Sequence, residues 1–161
     1  MSMRHCPRAN GFTYLTMLFA VALVGLGLAL AGEVWHTAVM REREAQLLYV
    51  GTQYRRAIER YYLNGPAQYP RALEALLKDG RQARTERYLR RLYPDPVTGS
   101  DEWGLVKTPA GEIMGVYSRS AEKPFRTTAF GAGNDFSAAT KYSDWKFVYD
   151  PQRQVQLTRA R

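Results

Sequence analysis

Residues 12–32 read Phe12-Thr-Tyr-Leu-Thr-Met-Leu-Phe-Ala-Val-Ala-Leu-Val-Gly-Leu-Gly-Leu-Ala-Leu-Ala-Gly32, a run without a single charge. A helix rising about 1.5 Å per residue crosses a hydrocarbon core of about 30 Å in roughly twenty residues, so the run is long enough to span a bilayer. Arg4, His5 and Arg8 precede it with no acid among them. That bias holds the N-terminus in the cytoplasm and sends the rest of the chain across. The expected location is an inner membrane crossed once, with the C-terminal part in the periplasm of a Gram-negative cell.

Outward from this run, the 161 residues leave room for one modest exported domain. The only cysteine, Cys6, lies ahead of the apolar run, so no intrachain disulfide can staple that domain. The same placement excludes a lipoprotein, whose lipidated cysteine follows the apolar run. Net charge is +8, and a basic surface suits nucleic acid, anionic lipid or an acidic protein equally well.

From residue 33 to 63 there is no proline, and Leu47, Val50, Tyr54, Ile58 and Tyr61 recur at spacings of three and four, with Ala57 and Tyr62 beside them. One face is apolar and the other carries Arg41, Glu42, Arg43, Glu44, Arg55, Arg56, Glu59 and Arg60, the pattern of a helix half laid on a domain. Asn64-Gly65-Pro66 should stop it, with Gly65 as the capping glycine. Trp35 and His36 fall where an aromatic ring can sit at a lipid boundary.

Beyond that stop, Pro70 to Lys78 reads as a short helix and Thr85 to Leu92 as another, followed by a Pro-rich acidic loop from Tyr93 to Glu102. Residues 103–107 and 113–118 flank Pro109-Ala110-Gly111 as a β-hairpin, and residues 145–149 alternate with Trp145, Phe147 and Tyr149 on one side. Val155 to Thr158 is a candidate strand to pair with them. Residues 118–141 are polar and Gly-rich and read as a long surface loop. The fold class expected is α+β: a long N-terminal helix, half membrane and half amphipathic, packed on a small antiparallel sheet. The divisions are a leader at 1–11, a membrane half at 12–32, an amphipathic half at 33–64 and a globular part at 65–161.

The junction Arg8-Ala9-Asn10-Gly11-Phe12-Thr13-Tyr14-Leu15-Thr16 resembles the processing signal of type IV pilins and type II secretion pseudopilins. The order of elements after residue 64 is loosely similar to the globular part of the major pseudopilin, which makes the expected fold pilin-like. The resemblance implies cleavage by prepilin peptidase between Gly11 and Phe12 and N-methylation of Phe12. It also implies other pilin or pseudopilin subunits and an inner-membrane assembly platform as partners. At the fifth mature position the family usually has Glu, and this chain has Thr16. A buried Glu needs a neighbour that supplies a positive charge, whereas a threonine hydroxyl bonds back to a helix carbonyl. The departure implies a minor subunit, or one at a filament tip. A rival reading is an ordinary secretory signal, since Ala29-Leu30-Ala31 resembles a signal-peptidase site and cutting after Ala31 would release a soluble periplasmic protein.

Chemistry in the exported part is sparse. Both histidines, His5 and His36, lie at or before the membrane boundary, no phosphate loop appears, and no nucleophile is paired with a base, so catalysis is not expected. Asp95, Asp101 and Glu102 share one loop and are candidate Ca2+ ligands, as in some major pseudopilins, although their spacing is not that of an EF-hand. No other cofactor is expected. Arg84, Arg87, Arg90 and Arg91, interleaved with Tyr88 and Tyr93, are the candidate nucleic-acid contacts of a second reading, a DNA-binding minor pilin of a competence system.

Overall fold

The computed structural model describes residues 10–81, 85–126 and 136–152, leaving aside the side chains of residues 10–11 and 29–34. The described elements make an α+β chain: helix α1 (Asn10–Leu63) and the antiparallel strands β1 (Gly104–Lys107), β2 (Ile113–Tyr117) and β3 (Phe147–Val148), in sheet order β1-β2-β3. The chain divides into two compact units, Met1–Met40 and Arg41–Arg161, with the boundary inside α1.

Within the second unit the apolar stripe of α1 is the floor of the core. Leu47, Val50, Tyr54, Ala57, Ile58 and Tyr61 are all buried, the positions their three-and-four spacing selects. They pack with Leu76, Leu89, Trp103, Ile113, Val116, Phe136, Tyr142, Trp145, Phe147 and Tyr149. Each large side chain taken from water contributes roughly 1.5–3 kcal/mol. Gly51 sits at a close approach of helix and sheet, because a Cβ there would overlap the Phe147 ring. Sheet and helix approach closely through that missing methyl.

The hairpin forms where the sequence indicates. Leu105 pairs with Val116 and Val106 with Gly115, and a bulge separates Val106 from Lys107. Gly111, at φ +83, supplies the left-handed residue of the turn. On the far side Val116 pairs with Phe147 and Gly115 with Val148. The third strand is shorter than the alternation suggests, but Trp145, Phe147 and Tyr149 are all buried as it requires.

Three expectations change. The helix sought at residues 70–78 is only a 3-10 turn, Leu73–Leu76. Its carbonyls are taken elsewhere: Pro70 O accepts from Ile113 N–H at 2.7 Å, and Leu76 O accepts from both Tyr88 and Leu89 N–H. The helix sought at residues 85–92 is absent. Glu86 makes a two-way backbone bridge with Asp79, and the amides of Tyr88 and Leu89 point at Leu76, so tertiary partners hold the donors that a helix would use. Finally, α1 ends at Leu63 as expected, but the left-handed residue after it is Ala67 at φ 56, not Gly65. Gly65 serves a different need, since a Cβ there would press on the Arg81 guanidinium.

The loop sought at residues 118–141 is not wholly superficial. Ser118 and Ser120 are buried, and Phe136 stacks on Trp145 with ring centroids 5.3 Å apart. The candidate strand at residues 155–158 and the middle of this loop, residues 127–135, lie outside the described residues.

Candidate functional site

The first unit contains the candidate processing residues Gly11, Phe12 and Thr16. Gly11 and Phe12 lie in the opening turns of α1, and the Phe12 side chain is 75% exposed. Thr16 donates its hydroxyl proton to the Phe12 carbonyl at 2.8 Å, the helix back-bond a threonine makes when no other acceptor is in reach. From residue 12 to 28 every described side chain is exposed. Phe12, Leu15, Leu18, Phe19, Leu23 and Leu28 all belong to that surface. Consecutive apolar residues cover all sides of a helix, so this one has no polar face to turn toward water. Monomeric proteins rarely expose contiguous apolar surface of this kind.

Among the described residues no helix is long and apolar enough to cross a membrane. The apolar run of the sequence continues past Leu28 through residues 29–32, whose side chains are outside the described set.

In the acidic loop the three candidate ligands separate. Asp95 is fully buried, and its carboxylate accepts from the Ser118 hydroxyl at 2.6 Å and from the Val97 amide at 3.0 Å. Its own amide and carbonyl close the turn with Ser100 and Gly99. Asp101 is exposed, and Glu102 pairs with Arg119 at 2.6 Å on the surface. No cluster of three His, Cys, Asp or Glu side chains able to hold a metal occurs among the described residues. Asp95 thus ties the loop to the end of β2.

The basic stretch also divides. Arg84 lies outside the described residues. Arg81 turns inward: it makes a two-point pair with Asp79, donates to Tyr61 O at 2.8 Å, and lies 3.5 Å above the Tyr61 ring. Asp79 is nearly fully buried, and its hydrogen bond from Arg81 holds its carboxyl below the usual range. This clamp satisfies a carbonyl at the end of α1 that the helix itself leaves open. Arg87, Arg90 and Arg91 remain exposed, with the Arg91 guanidinium 5.1 Å from the Tyr93 ring centre.

Both interleaved tyrosines face the fold. Tyr88 packs edge-on to Tyr61 and donates its hydroxyl to Asp79. The Tyr93 amide donates to the Tyr54 hydroxyl, which in turn donates to Tyr93 O; Trp103 Nε1 donates to the same carbonyl at 2.8 Å.

The close approach at Gly51 and the Arg81–Asp79 clamp are not evident from the sequence pattern, and Glu44, expected on the charged face of the helix, is instead buried and accepts from the Arg126 amide at 2.8 Å. A glycine inside an amphipathic stripe was the one visible signal among them. No protein-family model matches the chain, and neither a curated protein nor a solved structure is found to be similar to it.

Proposed function

We propose that this chain is a pilin-like assembly subunit, inserted once through the inner membrane, cut after Gly11 by prepilin peptidase, and drawn into a periplasmic filament by packing of its N-terminal helix. The observation that carries the reading is the apolar, exposed helix surface over residues 12–28, which begins at the Gly11-Phe12 pair. Such a surface is served by lipid before assembly and by neighbouring helices after it, with little hydrophobic cost in the exchange. The second unit then supplies the surface of the filament, its helix half fastened to the sheet.

Thr16 gives the subunit a minor or terminal place. Its hydroxyl is used within its own helix, and it brings no carboxylate to a neighbour's N-terminal amine. The subunit can lie beneath no partner that depends on such a pair.

The test is co-expression with a prepilin peptidase in a bacterial membrane. The chain should lose its first eleven residues, and Gly11→Val should block the loss while the protein stays in the membrane fraction. Release of a soluble product starting at Gly32 in both variants would instead establish an ordinary secretory signal.

A further inference from the structure

Arg87, Arg90, Arg91 and Leu92 stand on a short segment that the fold holds at both ends. At one end the Tyr88 and Leu89 amides bond to Leu76 O, Tyr88 packs on Tyr61, and Glu86 bridges to Asp79. At the other, the Tyr93 amide bonds to the Tyr54 hydroxyl and the two rings meet edge to face. Between these anchors all three arginines are exposed and Leu92 is 36% exposed. The ion pairs among the described residues are Arg81–Asp79 and Arg119–Glu102, so none of the three is neutralised by a described acid within 4.0 Å. Fixed backbone lowers the ordering cost of using them.

We propose that this segment is a docking surface for an acidic stretch of another protein. Guanidinium groups bind carboxylates through paired donors, and several in one short segment match a peptide with closely spaced acids. Leu92 adds an apolar contact amid the charges. Single-stranded nucleic acid is the weaker fit, because it needs open aromatic faces at the surface, whereas the Tyr88 ring packs on Tyr61 and the half-buried Tyr93 ring meets Tyr54 and lies beneath Arg91. Duplex phosphates call for a longer basic track than these few residues provide. The surface belongs to the second unit and does not depend on the filament reading.

The experiment uses the full chain in nonionic detergent micelles and fluorescence anisotropy with a short labelled peptide of Glu interspersed with Leu. The triple change R87E/R90E/R91E should weaken binding about tenfold or more, and its Gln counterpart should weaken it in the same direction with an unchanged circular dichroism spectrum and melting curve. Reversing three other exposed arginines, R41E/R43E/R56E, should change it by less than roughly twofold. Equal losses in the two triple variants would show diffuse charge attraction and overturn the proposal. So would no peptide binding by the parent chain, or tighter binding of a duplex oligonucleotide of equal charge that the first triple change abolishes.

Discussion

Gly51 decides how closely α1 meets the sheet. An added methyl would overlap the Phe147 ring, and that ring is itself held by Phe136 at 5.2 Å and fully buried. Gly51→Ala should therefore destabilise the protein by about 1–3 kcal/mol despite the better helix propensity of alanine. Gly25→Ala, where nothing lies within 4 Å, should leave the thermal midpoint unchanged or raised. Comparing the two melting curves isolates packing from propensity. Asp79→Asn removes the charge that Arg81 clamps and should cost about 2 kcal/mol in urea unfolding. The carboxyl is held below its unfolded value, so its contribution is complete above about pH 4 and disappears as pH falls through the lowered folded value. The stability difference between parent and Asp79→Asn should shrink over that acid range.

At the scale of elements, the parts readable from sequence are those whose pattern is local. The three-and-four spacing of Leu47, Val50, Tyr54, Ile58 and Tyr61 gives both the helix and its buried face, and Pro109-Ala110-Gly111 marks the hairpin turn. Residues 85–92 carry helix-forming side chains, yet their amides go to Asp79 and Leu76, partners no local window reveals. Asp95 reads as a candidate Ca2+ ligand because it shares an acidic loop with Asp101 and Glu102. Its burial depends on Ser118, which is distant in sequence. The aromatic fastening between α1 and the loops has a measurable sign. Burial raises the hydroxyl pKa of Tyr54, Tyr88, Tyr142 and Tyr149, and pushes Tyr69 up to about 12. Each raised value means stability that is full below about pH 10 and lost as pH rises through the folded value. Absorbance near the tyrosinate band should show delayed ionisation of the native protein relative to the urea-unfolded chain between about pH 10 and 12. Coincident curves would mean that these rings are open to water.

For the whole molecule, the division into two units sets two kinds of surface side by side in one sequence. The second unit buries Tyr54, Tyr61, Trp103, Phe136, Tyr142, Trp145, Phe147 and Tyr149, with Tyr54, Tyr69 and Trp103 bonded to backbone carbonyls, while its Tyr49 and Phe125 stay exposed. Residues 12–28 of the first leave theirs exposed. An isolated helix of that composition is a poor resident of water and a good resident of lipid or of a bundle of its own kind. The pattern behind the proposed junction lies within one short stretch of sequence, where basic residues, Gly11, Phe12 and an uncharged run are contiguous. The acidic and basic clusters depend on the tertiary fold, since folding commits the Asp95, Arg81 and Tyr88 side chains and the Tyr93 amide to internal partners. The most direct test of the assembly-subunit reading is mass spectrometry of the N-terminus of the protein isolated from membranes in which it matures. The expected result is a chain beginning at Phe12 with a methylated amine; a chain beginning at Gly32, or one retaining Met1, would contradict it.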